Sequence, residues 1–348
     1  MKKYQYVHIF PNEKFISAFI ETLAFHFNIE EHYFIYLEGK NIRELPIELR
    51  ENNLIISSFR EFFIKKKIIY EKFRVSDKIF IHGLYKWYFI LFLNFKKDIL
   101  FKSYWMIWGS DLYQYQNKSI SVKIKTYFRK RIIQKISNFI TYIYGDYNLA
   151  QQWYNAKGVY HECFMYPSNL YKKYNIKPKE LSTINLQIGN SADPSNNHIE
   201  VLKQIIKYKD ENIKIFTALS YGDKEYTKDI IEQGKEFFED KFIPLTEFMP
   251  FEKYLEFLSE IDIAIFAHKR QQAMGNIIIL LGLGKKVYMR SDITPWQLFQ
   301  NIGVKVFDVE KIELDLIDEQ TKKENQQKIK KYFSEERYFS QLKKIFDY

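Results

Sequence analysis

At 348 residues, 46% of them apolar, the chain is long enough for two domains with sizeable cores. A lone cysteine, Cys163, excludes an intrachain disulfide. The longest apolar run, Trp87 to Phe95, is under half a bilayer span, and the apolar start of the chain meets Pro11 too early for a secretory signal, so neither a transmembrane helix nor an export signal is expected. The net charge of +10 is uneven: residues 1–180 hold 29 Lys and Arg against 16 Asp and Glu, whereas residues 181–348 hold 24 against 27. A first half at +13 either faces something anionic or carries a merely lysine-rich surface.

Strands are expected at Tyr6–Phe10, Glu31–Leu37, Asn53–Ser57, Lys78–Gly83, Lys102–Gly109, Phe139–Gly145 and Val159–Met165, with helical patterns between them at Glu13–Phe27, Glu61–Lys72 and Tyr85–Phe95. Such alternation predicts an α/β fold with a doubly wound parallel sheet. In these sheets ligands meet residues just past the carboxyl ends of strands. Three places stand out: His8 on the first strand, His82-Gly83 ending the fourth, and the turn Trp108-Gly109-Ser110-Asp111-Leu112-Tyr113 ending the fifth. Asp111, following a glycine turn, can reach a cleft as a base or orient a histidine that does so, or it can simply cap a helix. Trp108 can stack on a sugar ring or fill core. Ser119–Ile140 is basic on one side and apolar on the other, which suits either an anionic membrane face or ordinary packing on the sheet.

Residues 172–181 are polar and read as a linker between a domain over 1–171 and a second over 182–320, with a charged helical segment, 321–348, packing back toward the first. The second domain opens with Asn185-Leu-Gln-Ile-Gly189, an apolar run ending in glycine. Asn190, Ser191, Ser195 and Asn196 follow, and then an apolar-periodic helix begins. Ser195 or Asn196 is its expected N-cap. The free N–H groups of that helix, with Gly189 allowing close backbone approach, predict a diphosphate site, although an ordinary βα turn has the same look. A strand at Ile261–Ala267 leads into His268-Lys-Arg-Gln-Gln-Ala-Met-Gly275, where Arg270 is suited to grip a phosphate and Gln271 or Gln272 a base or sugar. No zinc motif, P-loop or Gly-x-Gly-x-x-Gly is present.

Four pieces in order, Phe80-Ile-His-Gly83, Ile107-Trp-Gly-Ser-Asp-Leu-Tyr113, Ile188-Gly-Asn-Ser-Ala-Asp-Pro-Ser-Asn-Asn-His-Ile199 and Arg270-Gln-Gln-Ala-Met-Gly275, resemble glycosyltransferase family 56. This is the family of the lipid-linked 4-acetamido-4,6-dideoxygalactose transferase of enterobacterial common antigen synthesis, also labelled 4-alpha-L-fucosyltransferase. The resemblance implies a GT-B arrangement, two Rossmann-like domains facing a cleft. It implies transfer of a 6-deoxyhexose-type sugar from a nucleoside diphosphate, dTDP above all, to a polyprenyl-diphosphate-linked saccharide. No metal or other cofactor is expected. The enzyme would be peripheral on the cytoplasmic face of the inner membrane and would bind no nucleic acid. On this reading Gly189, Asn190, Ser191, Ser195, Asn196, His198, Arg270, Gln271, Gln272 and Gly275 hold the donor. Asp111 and His82 are catalytic, and His8, Trp108, Gly109 and Tyr113 meet the acceptor. Pro194 and Ala273 depart from the family pattern, standing where a basic residue and a glycine are expected, and the loop at His268 and Lys269 is longer. A reading from a different class is a non-catalytic basic protein that binds nucleic acid or an anionic membrane.

Overall fold

The computed structural model describes residues 3–11, 13, 15–38, 52–173 and 183–347. Much of the expected linker, residues 174–181, lies outside them. The chain divides into two compact units, Met1–Ser168 with Tyr338–Tyr348, and Asn169–Arg337.

The first unit contains β1 (Tyr6–Pro11), α1 (Ile16–His26), β2 (His32–Leu37), β3 (Asn53–Ile56), α2 (Phe59–Val75), β4 (Lys78–His82), α3 (Trp87–Phe95), β5 (Ser103–Met106), α4 (Ile120–Ile133), β6 (Asn138–Ile140), α5 (Tyr144–Tyr154) and β7 (Val159–His161). All its strand pairs are parallel, in the order β3-β2-β1-β4-β5-β6-β7. The direction of winding therefore reverses between β1 and β4, which opens a crevice at their carboxyl ends. Helices cover both faces, so the central strands β1, β2 and β4 are buried along nearly their whole length, while the edge strands β3 and β7 expose Ile55 and Val159. Val7, Ile9, Ile35, Ile79, Ile81 and Trp105 face α2 to α5. The alternate residues Tyr6, His8, Phe34, Phe80 and His82 face the other way, onto α1 and the C-terminal helix.

Strands β5, β6 and β7 end well before their expected runs do, β7 at His161. β5 stops at Met106 because Trp108–Asp111 turns back on the Asp111 carboxylate. β6 stops at Ile140, where the Thr141 hydroxyl takes the Ile143 N–H and α5 starts.

The second unit contains β8 (Ile184–Ile188), α6 (His198–Ile205), β9 (Ile213–Ala218), α7 (Lys224–Phe238), β10 (Phe242–Leu245), α8 (Phe251–Glu260), β11 (Ile263–Phe266), α9 (Met274–Gly282), β12 (Lys286–Met289), α10 (Thr294–Asn301), β13 (Phe307–Asp308) and α11 (Glu319–Tyr332). Its parallel sheet runs β10-β9-β8-β11-β12-β13, the same winding with its switch point between β8 and β11. Leu186, Ile188, Ile215 and Ile265 pack against Val201 and Leu202 of α6 and Ile230 of α7.

The charged segment after residue 320 is two helices. α11 packs on α9 within the second unit. The Ser334 hydroxyl then takes the Arg337 N–H and starts α12 (Glu335–Phe346). The Phe346 ring of α12 closes over Tyr6, His32 and Phe80 of the first sheet.

Candidate functional site

Both switch points carry polar clusters. In the first unit β4 ends in His82-Gly83, with Gly83 at φ +79°, where an added Cβ would strike the Tyr85 ring. This turn lies beside the turn after β5, and Asp111 joins the two. Its Oδ2 accepts from the Leu84 N–H (2.9 Å) and the Trp105 indole N–H (2.8 Å). Its Oδ1 accepts from the N–H groups of Trp108 (3.1 Å) and Leu112 (2.9 Å). Burial pushes this carboxyl above its ordinary range, while the donors from Leu84, Trp105 and Trp108 and the nearby Arg129 charge pull the other way. With four N–H donors on its lone pairs there is no position left for a proton.

The expectation that Asp111 reaches out as a base is therefore corrected. It is fully buried and saturated, and it shapes the rim. Arg129, counted among the basic residues of α4, also turns inward, donating from Nε and Nη2 to the Leu84 carbonyl (3.1 and 3.0 Å). The outward residues of α4 include Ile120, Ile124 and Tyr127 with Lys123, Lys125 and Arg131, so large apolar groups and cations share its solvent face.

His8 and His82 lie together as expected, but fully buried. His82 Nε2 is 3.1 Å from His8 Nδ1, and His8 Nε2 is 2.9 Å from His32 Nδ1. On the rim side His82 Nδ1 is 2.5 Å from the Tyr166 hydroxyl, which also accepts from the Trp108 indole N–H at 2.9 Å. Burial holds His82 and His32 down at about 3, and burial with its two histidine neighbours holds His8 well below its usual value, so all three are neutral at physiological pH. Trp108 is half-buried, and Gly109 is buried within the turn. Half-buried Tyr113 packs edge-on to Trp153. Tyr166 and His32 are the members of this cluster that the sequence did not single out.

In the second unit Gly189 ends β8 at φ +65°, packed so closely on the His198 ring and the Asn196 amide that an added Cβ would come within 2.4 Å of His198 Nε2. The loop departs from expectation in two ways. The helix starts at His198 rather than Ser195, after a 3-10 turn over Pro194–Asn196 capped by Asp193. The N–H groups of His198 and Ile199 are taken by the Tyr226 hydroxyl from α7. The opening of α6 is thus already satisfied, and it is not the free anion site that was expected.

Asn196 is likewise consumed by the loop. Its Oδ1 accepts from the Asn190 N–H (2.9 Å) and from His268 Nε2 (2.7 Å), and its amide donates to Ser191 Oγ and the Asp193 carbonyl. These contacts fix His268 as the Nε2–H tautomer, and burial holds its pKa down at about 3. Ser195 Oγ lies 2.5 Å from Asp193 Oδ1 and 2.8 Å from the Gln272 amide. One hydroxyl proton serves one acceptor, so Asp193 Oδ1 and Gln272 Oε1 compete for the Ser195 hydrogen. Burial opposes the ionised Asp193, but the Ser195 hydroxyl and N–H, with Arg270 nearby, hold it below its ordinary range.

The loop after β11 supplies the open groups. Arg270 is half-buried and spends only Nη1, on the Gln271 carbonyl. Gln271 Oε1, Asn190 Oδ1 and both ring nitrogens of His198 are buried with no hydrogen-bond partner among the described residues. Ala273 stands at φ +57° before α9, whose first turn, including Gly275, has no side-chain cap. The loop after β9 closes the third side through a parallel bridge of Ala192 with Gly222 and an amide contact of Asn190 with the Tyr221 hydroxyl. Among the described residues no group of three His, Cys, Asp or Glu is placed to hold a metal ion, and no helix is long and apolar enough to cross a membrane.

A family model described as 4-alpha-L-fucosyltransferase, glycosyl transferase group 56, matches residues 12–345. Among solved structures, a glycosyltransferase from Rickettsia africae is similar over 100% of this chain and 98% of its own, at 12% identity and TM-score 0.68. WaaG, a glycosyltransferase involved in lipopolysaccharide biosynthesis, is similar over 98% of both chains (10%, 0.63). HepE from Anabaena, solved with UDP and glucose, is similar over 99% of this chain and 100% of its own (9%, 0.66). These likenesses are of fold, two parallel-sheet α/β domains of the GT-B type.

Proposed function

Because the chain belongs to the 4-alpha-L-fucosyltransferase family, glycosyl transferase group 56, we propose that this glycosyltransferase moves a fucosyl or 4-acetamido-4,6-dideoxygalactosyl unit. The donor is a dTDP-linked sugar, and the acceptor is a polyprenyl-diphosphate-linked saccharide at the cytoplasmic face of a membrane. The observation that carries the donor side is the loop from β11 to α9. Arg270 keeps unspent guanidinium N–H groups there, directly ahead of a helix whose first turn is uncapped. A departing nucleoside diphosphate gathers negative charge as the sugar–oxygen bond breaks. A guanidinium and a positive helix end aimed at that charge lower the barrier without reorganising.

The donor role thus shifts from the opening of α6 to that of α9. The Gly189 loop becomes its partner wall, held rigid by Asn196 and His268. The side-chain oxygens Gln271 Oε1 and Asn190 Oδ1 are acceptors suited to donors on a sugar or base. Charge neutralisation falls to Arg270 and the helix end, so we propose that transfer proceeds without a metal.

For the acceptor side, exposed Ile120, Ile124 and Tyr127 beside Lys123, Lys125 and Arg131 on α4 support docking to anionic lipid, as do exposed Phe63, Ile64 and Ile68 beside Arg60, Lys66 and Lys67 on α2. The test is transfer of labelled sugar from dTDP-linked 4-acetamido-4,6-dideoxygalactose or fucose into a solvent-extractable lipid-linked saccharide, with EDTA present. Incorporation that survives EDTA supports the reading. Loss of incorporation with EDTA refutes metal independence, and incorporation only from other sugar donors refutes the donor class.

A further inference from the structure

With Asp111 saturated, the carboxylate expected at this rim cannot take the proton from an attacking hydroxyl. The buried histidine row offers another route. The Trp108 indole can only donate, so it occupies one lone pair of the Tyr166 oxygen. Tyr166 is 7% exposed, and the acceptor in reach of its own proton is His82 Nδ1, 2.5 Å away. Directing that proton to His82 sets the rest of the row. His82 then carries its hydrogen on Nε2 and donates to His8 Nδ1 (3.1 Å), and His8 carries its hydrogen on Nε2 and donates to His32 Nδ1 (2.9 Å). His32 Nε2 ends the row without a partner, so its hydrogen stays on that atom. The opposite polarity would leave the tyrosine proton unpaired in a nearly buried site. Aromatic rings hold the row in place. His8 is stacked between Phe34 and Phe80, and Phe19 packs against both His8 and His82.

We propose that Tyr166, His82, His8 and His32 form a proton relay that accepts the hydrogen of the attacking acceptor hydroxyl through the remaining lone pair of the Tyr166 oxygen. The inference rests on the glycosyl-transfer reading above. As the acceptor oxygen bonds to the sugar's anomeric carbon, the bond from that carbon to the diphosphate breaks, and its electron pair leaves with the diphosphate. The acceptor proton moves to the Tyr166 oxygen while the tyrosine's own proton moves to His82 Nδ1. The Nε2 proton of His82 moves to His8 Nδ1, and that of His8 moves to His32 Nδ1. Tyrosine ends neutral, His82 and His8 end as neutral Nδ1–H tautomers, and the positive charge is held only transiently on His32, whose burial disfavours it and so drives the proton back along the row and out through the Tyr166 oxygen to water. Reversal of the row after product leaves restores the starting state. Tyr166 is the catalytic member, and the three histidines act through it.

The test combines kinetics with ring nitrogen NMR. In the wild-type protein the 15N shifts of His82, His8 and His32 are expected to report three neutral Nε2–H tautomers. Nδ1–H tautomers at His82 and His8 would overturn the relay. Proton inventory of transfer in mixed H2O and D2O is expected to be bowed, with more than one proton in flight, whereas a linear plot would overturn it. Tyr166→Phe, which keeps the ring packing, should lower kcat about 100-fold or more, as removal of a base does, with dTDP affinity unchanged. Transfer within threefold of wild type would overturn the proposal while leaving the glycosyltransferase reading intact. His8→Phe, which preserves the aromatic stack, should straighten the inventory, and an unchanged bow would exclude the inner histidines. A wild-type protein that transfers no sugar from any nucleoside-diphosphate donor removes the reading, and the relay with it.

Discussion

Replacing Asp111 by Asn separates a structural carboxylate from a chemical one. The carboxylate accepts two N–H donors on each oxygen, at 2.8–3.1 Å, in a fully buried site. An amide keeps one oxygen and points an NH2 group at the other pair of donors, either Leu84 and Trp105 or Trp108 and Leu112. Each buried donor left unpaired costs about 1–3 kcal/mol, so the substitution costs roughly 4 kcal/mol. At ~2–4 °C per kcal/mol for a unit of this size, the first unit should melt roughly 8–16 °C lower. A base with no structural role would instead leave the melting point alone and lower turnover by about 10²–10⁴-fold. Differential scanning calorimetry, with dTDP titration well below the transition, makes the comparison. A variant that melts with the wild type yet no longer transfers sugar would refute the structural assignment.

The remaining predictions concern pH and three local geometries. Burial lowers the folded-state pKa of His8, His32 and His82 below the ordinary histidine value of about 6.5. Their stabilisation is therefore complete above pH 6.5 and is lost as pH falls from there toward about 3, where His32 and His82 finally charge. Over that first pH unit the unfolded histidines go from half to about nine-tenths protonated, which costs about 1 kcal/mol each, so the first unit should lose roughly 3 kcal/mol between pH 6.5 and 5.5, and urea melts with a flat midpoint across that interval would contradict this. Gly189→Ala forces a Cβ to within 2.4 Å of His198 Nε2 at φ +65°. It should destabilise the second unit by more than the ~1–2 kcal/mol of the backbone strain alone and weaken dTDP binding, and retained affinity would detach the loop from the donor site. Ala273→Gly relieves φ +57° ahead of α9, and calorimetry should show a gain of about 1 kcal/mol. Ile124→Glu on the exposed face of α4 should reduce co-sedimentation with phosphatidylglycerol vesicles, and unchanged sedimentation would move the membrane contact elsewhere.

The alternation of apolar strands with helical patterns was enough to read the first doubly wound sheet, the family resemblance implied the second, and the strand-end positions of His82, Gly189 and Arg270 were legible from the same pattern. What stayed hidden depended on partners distant in sequence. Tyr226 lies 28 residues beyond His198, yet its hydroxyl closes the helix opening that local residues suggested was free. Asp111 sits in a turn where a glycine permits either direction, and the donors that draw it inward include Leu84, 27 residues earlier. His32 starts a strand whose side-chain alternation is readable, but its place at the end of a hydrogen-bonded row follows only from β2 lying beside β1. Tyr166 follows the last strand and looks like a domain exit until its hydroxyl is found between Trp108 and His82. Ala273 carried a signal in the sequence, as an alanine where the family pattern has glycine, and the left-handed backbone there gives its physical meaning.

The central claim is that the second unit holds a nucleoside diphosphate between Arg270, the opening of α9 and the Gly189 loop. Isothermal titration of the purified protein with dTDP, UDP and GDP, in EDTA, tests it most directly. Saturable 1:1 binding of dTDP ahead of the other two, abolished by Arg270→Ala, is the predicted result. Absence of binding by all three, in the protein alone and with anionic vesicles and lipid-linked acceptor added, would contradict the account.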